Sequence, residues 1–196
     1  MARALAHVPL LKEGSLYLSS MCRCWFLLIV LIFFSFGGSR EFQTLDRALA
    51  QIFPGAKVEV KNVVLTPEQV NAIEEASKVK LNSRLISWYI AKRNGQIVGY
   101  AYVDVHTVRT HPETVLYALD SKGRILAIEV LSFNEPLEYM PDEEWLRQFK
   151  GKSGADPVRL KKDVINMTGA TLTSRAITDN ARKVLHMWKV LFGGAR

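Results

Sequence analysis

RLISWYIAKRNGQIVGYAYVDV, residues 84–105, sets two runs rich in β-branched and aromatic residues on either side of Asn94-Gly95. Asn-Gly in that setting is a strong signal for a two-residue hairpin, because a type I′ turn needs positive φ at both central positions. The pattern recurs in ETVLYALDSKGRILAIEVLSF, residues 113–133, which reads as strand, Asp-Ser-Lys-Gly turn, strand. Two hairpins predict four strands in a mainly antiparallel sheet. Helical periodicity flanks them. EFQTLDRALAQIF, residues 41–53, places Phe42, Leu45, Leu49, Ile52 and Phe53 on one face, and Pro54-Gly55 ends it. LTPEQVNAIEEAS, residues 65–77, offers Thr66 as N-cap, Pro67 at the first helical position and Gln69 to complete a capping box. A helix over residues 67–77 follows. MPDEEWLRQFKGK, residues 140–152, predicts a short helix with Pro141 at its start. Residues 150–162 read as a polar loop, and a last helix runs over residues 172–191. Its expected buried face is Ala176, Ile177, Ala181, Val184, Leu185, Trp188 and Leu191. The expected fold class is α+β, an antiparallel sheet of two hairpins with packed helices.

The apolar content is uneven. CWFLLIVLIFFSFGG, residues 24–38, carries no charge, and its strongly apolar part is Trp25 to Phe36. A run of about 12 residues is short for a membrane-spanning helix and suits the hydrophobic region of a signal peptide. Arg23 precedes it, and Ser35, Gly37, Gly38 and Ser39 supply small residues for cleavage. The expectation is a leader over residues 1–38, as a signal peptide or an N-terminal membrane anchor, followed by one domain over residues 39–196. Met21 is a candidate translation start. Cys22 and Cys24 both fall in the leader, so the exported domain holds no disulfide and no cysteine-ligated metal. Without the leader the net charge falls from +7 to +5. No basic stripe with interleaved aromatics appears, which argues against nucleic acid as a partner.

Conventional catalytic sets are missing from the sequence. His106 and His111 flank the connection between the hairpins, and no carboxylate spacing makes them a metal set; they read as surface histidines. Gly151-Lys152-Ser153 lacks the upstream glycine of a phosphate-binding loop. Ser174 and Thr171 stand in no His–Asp context. A bound cofactor would have to carry any reactivity.

NMTGATLTSRAITDNARKVL, residues 166–185, offers a place for one. Gly169 and Ala170 admit close approach of a ligand to the backbone. Thr171 stands where the helix begins, and the first-turn N–H groups favour an anion there by about 0.3–1 kcal/mol. The plainer reading makes Thr171 or Thr173 an N-cap.

TGATLTS, residues 168–174, resembles the flavinylation motif of the FMN-binding domain family. That family includes the G subunit of the Rnf electron-transport complex and the C subunit of the sodium-translocating NADH:quinone reductase. VLYALDSKGRILAIEVLSFNEP (115–136), WLRQFKGKS (145–153) and FPGA (53–56) are also similar to family segments. The resemblance implies a covalent phosphoester between FMN and Thr171. It implies an FMN transferase that uses FAD and Mg²⁺ outside the cytoplasm. It places Thr168, Gly169, Ala170, Leu172, Thr173 and Ser174 around the ester, and Glu135 and Tyr139 beside the cofactor. Two departures stand out. Many members carry Asp six residues before the modified threonine, where this chain has Ile165, its nearest upstream acid being Asp163. PLEYMPDEE, residues 136–144, replaces a Gly-rich loop, which points to a stand-alone relative.

The resulting expectation is a periplasmic electron-transfer flavoprotein, soluble or held at the inner membrane by residues 24–38. It would relay electrons between redox donor and acceptor proteins, as an electron carrier or redox-complex subunit more than as an independent enzyme. The alternatives are a component of a membrane electron-transport complex, or a non-redox sensory or binding module of the same fold.

Overall fold

The computed structural model describes residues 42–194; the expected leader, with Cys22 and Cys24, lies outside the described residues. Helix α1, Leu45–Ile52, begins at Thr44, whose hydroxyl accepts a hydrogen bond from Arg47 N. Strand β1, Lys57–Val64, follows, and then helix α2, Pro67–Ser77. The capping box on α2 is complete: Thr66 Oγ1 accepts from Gln69 N and Gln69 Oε1 accepts from Thr66 N. Strands β2 (Leu85–Arg93), β3 (Gln96–Thr107), β4 (Pro112–Asp120) and β5 (Ile125–Phe133) come next. A 3₁₀ turn at Leu137–Tyr139, a short helix α3 (Glu143–Arg147) and a long helix α4 (Thr171–Phe192) complete the order.

The sheet runs β1-β2-β3-β4-β5, and every neighbouring pair is antiparallel. Asn94 and Gly95 both take positive φ, 51° and 78°, as the type I′ turn requires. The expected α+β class and both hairpins are present. The four-strand count needs correction, because β1 adds a fifth. Its sequence, KVEVKNVV, hides the strand: Val60 and Val64 are exposed, so apolar residues do not mark one buried face. Edge pairing with β2, from Lys57↔Lys92 to Val64↔Leu85, makes the strand instead. Glu59 bridges to Lys92 at 2.7 Å and Lys57 at 3.5 Å, a charged edge that resists pairing with another chain.

Both sheet faces are covered. On one, Ala91, Ala101 and Ala118 make room for Ala48, Leu49 and Phe53 of the α1 segment. Gly99 belongs to this contact, since a Cβ there would collide with the Phe53 ring. On the other, Trp88, Tyr117 and Leu119 pack with Ile73 of α2 and with Ile177, Ala181, Val184 and Leu185 of α4. Burying such large side chains stabilises by about 1.5–3 kcal/mol each. Helix α3 starts after Asp142, whose carboxylate accepts from Trp145 N at 2.7 Å; Pro141 lies before the cap, not inside the helix. Of the expected buried face of α4, Ala176, Trp188 and Leu191 are only half-buried, while Thr173, Ser174, Thr178, Asn180, Arg182, Lys183 and Met187 are buried as well.

Candidate functional site

The segment before α4 is held to α3 by its backbone. Trp145 Nε1 donates to Ile165 O at 2.6 Å, and Ile165 N donates to Gln148 Oε1 at 2.7 Å. The Ile165 side chain is left 77% exposed, so the position where the resemblance expects Asp faces solvent. Asp163 does not take over that place. Its carboxylate accepts from Val158 N and Arg159 N and pairs with Lys152 at 2.9 Å. Gly169, at φ 81°, then turns the chain into the helix.

Ala170 is the N-cap of α4 and supplies no side-chain cap bond, so neither Thr171 nor Thr173 is the cap. Ser174 braces the turn from beneath: its hydroxyl donates to Ala170 O at 2.9 Å and accepts from Met167 N at 3.2 Å. The side chain that fits a cap is thus engaged inside the turn, and the first-turn N–H groups stay open. Thr171 is the first helical residue and is exposed. Its Oγ1 accepts from Asn166 Nδ2 at 3.1 Å. The positive end of a 22-residue helix therefore opens beside an accessible hydroxyl.

Thr171 lies on the wall of two cavities. The smaller, about 190 Å³, is lined by Gly169, Ala170, Thr171, Leu172 and Thr173 from the motif, and by Val108, Arg109, Glu135 and Tyr139 from elsewhere. The fold thus brings Glu135 and Tyr139 to the motif from 33 and 29 residues before Thr168 in sequence. Thr168 and Ser174 line neither cavity. Glu135 Oε1 accepts from Arg109 N, Thr110 N and His111 N at 3.2, 2.9 and 3.0 Å. The N–H groups of Thr110 and His111, with that of Arg109, hold the carboxyl below its ordinary range. Glu135 thereby shapes the β3–β4 turn. That turn sets the Arg109 guanidinium over the Tyr139 ring, 5.0 Å from its centroid. The larger cavity, about 420 Å³, lies on the other side of Thr171 and is lined chiefly by basic residues.

One strand pair inward from the β3–β4 turn lies a buried row of charges, which corrects the reading of His106 as a surface residue. His106 Nδ1 meets Asp104 Oδ2 at 2.8 Å, and its Nε2 approaches Glu113 Oε1 at 2.5 Å. Lys183 Nζ pairs with Asp104 Oδ1 at 2.7 Å. All four side chains are at most 11% exposed. Burial alone would lower the His106 pKa, but its hydrogen bond with Asp104 and the close negative charges of Glu113 and Asp104 raise it to about 9. Burial pushes Asp104 up, and the His106 hydrogen bond and Lys183 charge bring it below its ordinary value.

Sequence reasoning missed Arg109, Val108 and Asn166 at the site. No motif contains Val108 and Arg109; the hairpin connection between residues 107 and 112 was the available signal, since such loops carry function. His106 was readable as alternation: Asp104 and His106 share one face of β3, and Glu113 pairs with His106 across β4.

Residues 110–186 match the model of the FMN-binding domain family. The chain is 29% identical over 124 residues to the G subunit of the Na(+)-translocating ferredoxin:NAD(+) oxidoreductase complex of Acetobacterium woodii, covering 55% of this chain and 57% of that protein. It is 34% identical over 114 residues to the G subunit of the ion-translocating oxidoreductase complex of Stutzerimonas stutzeri, covering 52% of this chain and 50% of that protein. The chain spans about half the length of these curated relatives. The matched segment holds β4, β5, Glu135, Tyr139 and the whole Thr168–Ser174 motif, so over this stretch the chain resembles the FMN-binding domain family and those two proteins.

Proposed function

We propose that this protein is an extracytoplasmic electron-transfer flavoprotein that carries FMN joined by a phosphoester to Thr171. The observation that carries the reading is the uncapped start of α4, with the Thr171 hydroxyl on the wall of the cavity that Glu135, Arg109 and Tyr139 line. The residues present fit the cofactor. Open first-turn N–H groups suit a phosphodiester, which keeps one negative charge. A cavity of about 190 Å³ accepts only part of a flavin, and the remainder lies at the surface, where a partner can reach it. Bound FMN supplies one- or two-electron chemistry. Glu135 sets the local potential and the shape of the β3–β4 turn, and Tyr139 and Leu172 offer apolar surface to the ring. Thr173 lies in the first turn beneath.

Attachment calls for an FMN transferase with FAD and Mg²⁺, and electrons pass to and from redox partner proteins. The resemblance to components of ion-translocating complexes favours partners in such a complex over a free-standing carrier. Among the described residues no helix is long and apolar enough to cross a membrane. Export therefore rests on residues 1–38 as leader or anchor. Sequencing the N-terminus of native protein tests this: a start near residue 38 supports cleavage, an intact leader in the membrane fraction supports the anchor, and an intact chain in the cytoplasm overturns export.

Covalent attachment is read by flavin fluorescence after denaturing electrophoresis of protein made with an active transferase. Wild type without an adduct would defeat the reading. A second expectation concerns Glu135→Gln. The amide oxygen still accepts the backbone N–H groups, and the negative charge is gone. Attachment should be unchanged and the flavin potential should rise, because reduction adds negative charge that Glu135 no longer opposes. A redox titration that gives the wild-type midpoint removes Glu135 from the flavin's surroundings.

A further inference from the structure

The 420 Å³ cleft on the far side of Thr171 is within the size range of small-ligand sites. It lies between the end of α2, the turn at residues 159–161 and the first turns of α4. Its charge is one-sided: Lys78, Arg159, Lys161, Arg175 and Arg182 line it against one acid, Asp179. Asp179 is already engaged, pairing with Arg182 at 2.8 Å. The buried Arg182 also donates to Ser77 O and Val158 O, so it braces the floor. The side chains of Lys78, Arg159, Lys161 and Arg175 have no carboxylate partner and donate no hydrogen bond among the described residues. Converging like charges repel, and a concave wall focuses their field.

The backbone that presents these cations is unusual. Of four non-glycine residues at positive φ among the described residues, three belong to this cleft or adjoin it: Lys78, the C-cap of α2, at 58°, Val158 at 43° and Lys161 at 62°. A β-branched residue such as Val158 rarely adopts this conformation. It is held there by Asp163, which accepts from its N–H at 3.1 Å, and by Arg182 Nη1 on its carbonyl at 2.8 Å. Asn166 also lies on the cleft wall. Its Nδ2 donates to Met167 O at 3.1 Å, which fixes the amide, and its Oδ1 is out of solvent with no donor among the described residues.

We propose that this cleft binds a diphosphate-bearing ligand of mononucleotide size. The two phosphates meet the four unpartnered cations. A single phosphate would leave half of the positive charge unmatched. The inference stands on the cleft and not on the modification of Thr171. Because Thr171 is part of the same wall, the bound ligand would adjoin its hydroxyl.

The test is calorimetric titration of the flavin-free full chain with pyrophosphate, ADP, AMP, inorganic phosphate and adenosine at low salt. Saturable binding of one equivalent of pyrophosphate or ADP is expected, about tenfold or more tighter than AMP or phosphate, with none for adenosine. Arg175→Ala combined with Lys161→Ala should weaken ADP about tenfold or more and leave the melting temperature within about two degrees, since neither side chain makes an ion pair or hydrogen bond among the described residues. Absence of saturable ADP and pyrophosphate binding overturns the proposal. So does binding that the double variant leaves unchanged. Tight binding of polyglutamate without saturable ADP binding would also overturn it, and would assign the face to an acidic protein partner.

Discussion

Thr171→Ala gives a folded protein with no covalent flavin, even beside an active transferase and FAD. The loss is complete because the substitution removes the oxygen to which the proposed ester is joined. The structural cost is small. Thr171 is not the cap of α4, its side chain is exposed, and its one hydrogen bond is from Asn166 Nδ2. Alanine also favours a helix, so the net change in stability stays within about 0.5 kcal/mol. Thr173→Ala retains the adduct. Ser174→Ala retains it too but loses about 1–3 kcal/mol, because Met167 N–H is left without its acceptor. Intact mass should show FMN added less one water in wild type, Thr173→Ala and Ser174→Ala, and not in Thr171→Ala. In-gel fluorescence from folded Thr171→Ala would falsify the assignment.

The second large effect concerns His106. His106→Ala leaves the fully buried Glu113 without its charge partner and should destabilise the domain by about 3–5 kcal/mol. The same group makes stability depend on pH. In the unfolded chain the imidazole loses its proton near pH 6.5, and in the fold only at about 9. The contribution of the charged row is thus present in full below about 6.5 and is lost as pH rises through 9, a difference of up to ~3 kcal/mol. Asp104 acts in the opposite direction. Its depressed pKa contributes stability at neutral pH that is lost as acid approaches its folded value. Thermal melts of wild type from pH 6 to 10 should fall more steeply than those of His106→Gln. Parallel slopes for the two proteins over that window would show that His106 is not ionised in the fold.

The row of charges also connects fold to site. His106 and Glu113 pair one step before the turn that carries Arg109 into the smaller cavity. Lys183, from the middle of α4, ties that strand pair to the helix that presents Thr171. Loss of His106 should therefore loosen the relation between Arg109 and Thr171 as well as the core.

Local chemistry made much of this protein readable from its residues. Asn94-Gly95 requires a turn with two positive φ values whatever surrounds it, and Thr66-Pro67-Gln69 starts α2 with groups three residues apart. The TGATLTS segment places a hydroxyl, small residues and a helix start together, and its partners lie within eight residues. Features whose cause is another part of the chain were not readable. Strand β1 exists because β2 supplies its hydrogen bonds, so its own exposed valines gave no alternation to detect. Helix α4 has Arg182 and Lys183 inside, where a 3.6-residue apolar pattern predicts solvent; Val158, Ser77 and Asp104 meet those charges from 24 to 105 residues away. Glu135 and Arg109 reach the motif by the sheet's return, and the basic cleft draws its cations from α2, a strained turn and α4. Turns, caps and the exposed Thr171 hydroxyl are short-range matters of backbone angle and hydrogen-bond reach. Burial of charge and the walls of the cavities depend on which distant surfaces meet, and the tertiary structure alone decided those.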